Sequence, residues 1–117
     1  MTQVVPPIET GTANYPAVKE YLVSMNRYYL TVKPGFVSLE GYLATKVFVE
    51  ALRRAGKNLT REGFIDAVEG IRDLDIQAGN KINFAKDNHQ GSQTVYSTII
   101  KGGKFYPIDD WNAVQVK

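Results

Sequence analysis

The sequence predicts an α/β chain: a short strand, three helices and then a C-terminal β-hairpin. Three observations carry this. First, Ser38–Gly56, SLEGYLATKVFVEALRRAG, holds the longest helical pattern in the chain. At 100° per residue Leu43, Ala44, Val47, Phe48, Ala51, Leu52 and Ala55 fall on one arc. Second, two shorter apolar stripes of helical period flank it. Third, two β-prone runs near the C-terminus are separated by Gly102-Gly103, the two-residue spacing of a primed hairpin turn.

In chain order, Thr2–Val5 is β-branched and apolar and reads as a strand. Pro6-Pro7 ends it, because two prolines remove two amide donors and favour an extended segment. Thr10–Asn14 is polar and reads as loop. Pro16 then occupies the first-turn position of a helix running to about Tyr29. Its stripe is Val18, Tyr21, Leu22, Met25 and Tyr29. Tyr21, Tyr28 and Tyr29 at this spacing are expected to pack with solvated hydroxyl tips rather than form a stacking platform. Lys33-Pro34-Gly35 is a turn that delivers Phe36 and Val37 to the long helix.

Ser38 is the expected N-cap of that helix, and Arg53 and Arg54 suit its negative end. Glu50 is placed to pair with either arginine. Gly56 is expected to stop the helix as a left-handed C-cap. Two residues break the pattern: Glu40 lies on the apolar arc at the helix entrance, and Tyr42 lies on the polar side. The bland explanation is dipole pairing for one and a surface ring for the other. The sharper one is that this helix start faces a cleft.

Thr60 caps a third helix, with Glu62 in its first turn and Phe64, Ile65, Val68 and Ile71 as its stripe, ending near Gly70. Asn58-Leu59-Thr60 matches a glycosylation sequon and is read as a helix cap. Asp73–Asn80 reads as loop, and Lys81–Phe84 as a short extended piece. Asp87–Ser92, DNHQGS, is a polar turn holding the single histidine, His89, expected to bond nearby backbone. Thr94–Lys101 and Lys104–Ile108 form the hairpin, with Pro107 confining the second strand to an edge. Asp109–Lys117 carries no predicted element.

Composition narrows the function. The 117 residues, about one domain's worth, carry a net charge of +2 with basic residues dispersed, which argues against nucleic acid as a partner. Cysteine is absent, removing disulfides and thiolate chemistry. No second histidine and no metal-ligand spacing accompany His89, so neither a metal site nor a cofactor is expected. No apolar run reaches the length of a membrane span. No signal peptide precedes TQVVPPIET, which reads like the middle of a domain rather than its start.

Taken together, VVPP, YPAVKEY, FVSLEGYLATKVFVEALRRAG, LTREGFIDAVEGI, INFAKDNHQGS and the hairpin around GGKF resemble the C-terminal third of type I periplasmic binding proteins. The resemblance is to the branched-chain amino-acid (Leu/Ile/Val) type of ABC-transporter substrate-binding protein, and it covers about Thr2 to Ile108. The block from Ser38 to Phe64 is its most specific part, and HQGS is an independent match. Leu74–Gly79 departs from the pattern, since Gln77-Ala78 replaces the glycine-rich loop usual there.

The resemblance implies a fragment of a fold with two doubly wound lobes joined by three crossing strands, which closes on a small solute. Residues 1–7 would be a crossing strand, 8–84 the helical part of the first lobe, and 85–117 a crossing and the hairpin of the second lobe. Val4–Pro7 would be the second crossing and Phe84–His89 the third. The start of the long helix would join the cleft wall, making Ser38, Leu39, Glu40 and Tyr42 the candidate ligand-binding residues. The implied parent is periplasmic and non-enzymatic, with a small carboxylate solute and an ABC permease as partners. A ligand-sensing module of a receptor or regulator is the alternative; neighbouring permease genes would favour transport, and a fused output domain sensing. An enzyme would need a nucleophile–base pair, and Ser24, Ser38, Ser92 and Ser97 have no histidine to turn to besides His89. Cut from its sheet, the helical part would leave Leu43, Val47, Phe48, Leu52, Phe64 and Val68 short of apolar partners, so self-association is expected.

Overall fold

The computed structural model describes residues 1–8 and 15–114. The loop expected over Thr10–Asn14 therefore lies outside the described residues. The order is β1 (Thr2–Gln3), α1 (Pro16–Tyr28), α2 (Phe36–Ala55), α3 (Arg61–Glu69), β2 (Leu74–Asp75), β3 (Lys81–Ile82), β4 (Tyr96–Lys101), β5 (Lys104–Pro107) and a 3₁₀ turn at Trp111–Ala113. The mixed architecture predicted from the sequence is the one observed.

The strand expected over Thr2–Val5 is shorter, because the chain bends at Val4 and Val5 before the two prolines. Val5, Pro6 and Pro7 are buried there as packing residues. α1 opens with Pro16 in its first turn, and the free amide of Ala17 donates to the Gln77 carbonyl at 3.1 Å. Val18, Tyr21 and Met25 are buried as the stripe predicts, but Tyr28 and Tyr29 stand in solvent.

α2 begins three residues earlier than expected. Its N-cap is Gly35, and Ser38 sits inside the first turn instead of capping it. Tyr21 does the tying: its hydroxyl accepts the Gly35 amide at 3.1 Å and meets the Ser38 Oγ at 2.6 Å. At the far end Gly56 has φ 76° and ψ −159°. The positive φ suits glycine, although this ψ is extended rather than helical, so the left-handed cap expected there is replaced by a glycine-specific exit. Glu50 takes both expected partners, Arg53 and Arg54, each at 2.9 Å.

α3 is capped as predicted: Thr60 Oγ1 accepts the Gly63 amide at 3.0 Å. Its ring Phe64 meets Phe48 of α2 at 5.3 Å. Residues 73–80, expected as plain loop, contain β2, which pairs antiparallel with β3 through Leu74↔Ile82. Gln77 in the connecting turn has φ 62°, a left-handed backbone that costs a side chain roughly 1–2 kcal/mol and glycine nothing. The departure from a glycine-rich loop noted in the sequence thus falls on a position where glycine would be at ease.

The hairpin forms around the predicted turn, with strands shorter than the expected Thr94–Lys101 and Lys104–Ile108. Gly102 and Gly103 have φ 56° and 75°, the positive pair of a type I′ turn. β1 joins β4 and β5 in one antiparallel sheet of order β1-β4-β5, with Pro107 ending the edge strand β5. Thr98 is the buried polar side chain of that sheet, and its amide and Oγ1 both donate to the Met1 carbonyl.

Candidate functional site

The first turn of α2 touches the hairpin. Phe36 meets Phe105 of β5 with ring centroids 5.0 Å apart at 85°, an edge-to-face pair. Neither ring stood out in the sequence, because helical periodicity does not single out the first residue of a helix. The available signals were a ring directly after Pro34-Gly35 and another directly after the hairpin turn. On the other side of the junction Tyr96 of β4 donates its hydroxyl to the Ala78 carbonyl and lies 3.4 Å from Asn80 Oδ1. Its ring stands edge-on to Tyr15 at 6.3 Å. Burial, with Tyr15 close by, pushes the Tyr96 phenol up to about 12, so it stays a donor throughout the physiological range.

The four predicted site residues separate into three environments. Ser38 and Tyr42 line one groove between α1 and α2, of about 490 Å³, together with Tyr21, Ser24, Met25, Tyr29, Val32, Gly41 and Thr45. Leu39 is fully buried among the core side chains, so in this chain it supports the wall from behind and presents no surface to a ligand. Glu40 is exposed and lines neither this groove nor the next.

Tyr42 also borders a second groove of about 380 Å³, shared with Thr45, Lys46, Val49, Glu50, Arg53, Leu74, Asp75 and Ile76. Its ring packs 5.7 Å from that of Tyr21. Its hydroxyl lies 3.4 Å from Glu20 Oε2, which accepts Lys46 Nζ at 2.5 Å. The hydrogen bond from Lys46 holds the Glu20 carboxyl below its usual value, with burial opposing it. Tyr42 is therefore neither a bare surface ring nor a free cleft ring. It closes a small polar cluster at the edge of the apolar groove.

Chemically, the first groove offers aromatic faces, aliphatic floor and neutral hydroxyls, whereas the second is lined by the charged Lys46, Glu50, Arg53 and Asp75. The Ser38 hydroxyl is paired with another hydroxyl and not with a base. The expected backbone partner of His89 is replaced by a side chain: Nε2 stands 2.9 Å from Glu69 Oε1. Asn88 does the local work instead, its Oδ1 accepting the Gln90 amide. Among the described residues no group of three or more histidine, cysteine or acidic side chains gathers to hold a metal.

Among curated proteins none matches the chain. Two solved structures do. The chain superposes on a possible leucine/isoleucine/valine-binding protein from Rhodopirellula baltica SH 1 with a TM-score of 0.83 and 28% identity, covering 96% of this chain and 29% of that one. It superposes on a substrate-binding periplasmic protein from Ralstonia solanacearum with a TM-score of 0.79 and 27% identity, covering 92% of this chain and 31% of that one. The chain thus spans about three tenths of the length of either structure, a fragment of their two-lobed fold. The family model described as periplasmic binding protein matches residues 2–104, and on that match the chain belongs to the periplasmic binding protein family.

Proposed function

We propose that this chain is part of a solute-binding protein of an ABC importer, which captures a branched-chain amino acid or a similar small carboxylate between two lobes. The observation that carries the reading is the superposition of nearly the whole chain on a possible leucine/isoleucine/valine-binding protein. Capture requires no covalent step. An apolar pocket takes the side chain, a few fixed polar groups take the charged end, and lobe closure excludes water. The parent would work in the periplasm and deliver its solute to a permease.

In this reading residues 1–7 form a crossing, 8–84 the helical part of one lobe, and 85–117 a crossing and the hairpin of the other. The pairing of β1 with β4, in a sheet separate from β2 and β3, supports that division. The start of α2, with Ser38 and Tyr42 on its accessible side, contributes to the wall that faces the solute. Leu39 and Glu40 are assigned supporting positions on the same turn.

The test is a thermal-shift panel of the full-length protein against the amino acids and small carboxylates. A ligand present at about 100 times its Kd should stabilise the protein by about 2.7 kcal/mol. Stabilisation by leucine, isoleucine or valine is the expected result. A panel in which no amino acid or carboxylate moves the melting temperature would overturn the reading.

A further inference from the structure

The polar turn that follows β3 is fastened to the end of α3 by three contacts. The Phe84 amide donates to the Ile71 carbonyl at 3.0 Å. The Arg72 guanidinium donates to the carbonyls of Glu69, Ile71 and Phe84. Ala85 and Asn88 form an isolated bridge that folds the turn on itself. The third contact with α3 is His89 Nε2 to Glu69 Oε1 at 2.9 Å.

Only the last of these joins two side chains from different segments, and it contains the chain's single histidine. Histidine is the side-chain type whose ordinary pKa falls between pH 5 and 8. The Glu69 side chain is 14% exposed whereas that of His89 is 64% exposed. The acid half is thus held in the fold, while the imidazole stands where a proton can reach it. The other charges on these segments are Asp66, Arg72 and Asp73 around the end of α3, and Lys86 and Asp87 in the turn. None of those residue types ordinarily changes charge in that range.

We propose that His89 and Glu69 form a pH-sensitive clamp that fastens the 84–91 segment to the end of α3. Protonated, the imidazolium donates a charge-assisted hydrogen bond to the carboxylate. Neutral, it keeps at most an uncharged one, so the clamp tightens as pH falls through the imidazole range and loosens above it. If this segment is the crossing proposed above, the clamp sets how stiffly one hinge strand is held, a consequence that rests on that reading. The clamp itself does not.

Amide hydrogen exchange of the chain, corrected for intrinsic rates, tests it without any solute. A partly exposed pair of this kind should raise protection of the 84–91 amides about threefold at about pH 5.5 relative to about pH 8. Glu69→Gln should abolish that difference, and His89→Gln should leave a contact that no longer depends on pH. Circular dichroism confirms that both variants remain folded. Equal protection at both pH values in the parent chain, or the same pH dependence in both variants, would overturn the proposal.

Discussion

The buried apolar side chains run from Val5 through Ala17, Val18, Tyr21, Met25, Leu39, Leu43, Ala51, Ile71, Ile76 and Ala78 to Ile82, whereas the only buried side chain of the hairpin is Thr98. The helical part is therefore held by apolar burial. The sheet is held by its backbone ladder, by Thr98 bonded to the Met1 carbonyl, and by rings that touch the helices at Phe36 and Tyr15. One region resembles a core; the other resembles an attachment. In the solute trap proposed above, that asymmetry would place stiffness in the helices and compliance at the ring contacts.

Truncation should expose the difference most plainly. Leu39→Ala removes a fully buried side chain and should cost about 2–5 kcal/mol of stability. Ile100→Ala, in a half-exposed strand position, should stay within about 0.5 kcal/mol. Denaturant melts of the two variants measure both, and a larger loss from the strand variant would reverse the comparison.

A smaller effect is expected on the outer side of α2. Leu43 finds its partners within the chain, contrary to the expectation that it would lack them. Val37 and Phe48 remain 85% and 52% exposed, and Ile65 of α3 42%. These exposed apolar side chains are the surface through which copies are expected to associate. Sedimentation equilibrium of the 117-residue chain should show concentration-dependent association, and Phe48→Glu should weaken it about tenfold by placing a charge in the contact. A monomer at every concentration would show that the exposed face has no affinity for itself.

The smallest effect concerns acid. Lys46 lowers the Glu20 carboxyl below 4.5, so the folded state holds the deprotonated form more strongly than the unfolded chain does. Its contribution is present above that value and lost as pH falls through the lowered one. Because Glu20 is half exposed, the loss should be well under 1 kcal/mol. Acid melts of the chain and of Glu20→Gln should separate above the ordinary carboxylate range and converge once pH has fallen through the lowered value. Curves with a constant offset across the whole range would leave the pair without an electrostatic role.

Much of this was legible in the residues because the signals were local. Thr60, Gly102-Gly103, Pro16 and the Glu50 pairs each act within a few residues, and each behaves as its chemistry dictates. What escaped was long-range. The start of α2 is tied by Tyr21 from another helix, a contact that no local pattern around Ser38 reveals. Leu74 looked like loop because a two-residue strand has no periodicity until Ile82 pairs with it. His89 was read as bonding backbone because Glu69, 20 residues away, leaves no trace beside it. The candidate wall suffered in the same way: Leu39 faces inward because Ala17, Val18 and Tyr21 arrive from α1, and Phe36 and Phe105 meet only once the hairpin folds back.

The central claim is that the chain is one piece of a solute trap whose cleft needs the rest of the fold. Calorimetric titration of leucine into the full-length protein and into the 117-residue chain, side by side, tests it most directly. The account predicts saturable binding at about micromolar Kd, near −8 kcal/mol, for the full-length protein and no measurable heat for the chain alone. Saturable micromolar binding by the chain itself, or none by the full-length protein to any branched-chain amino acid, would contradict it.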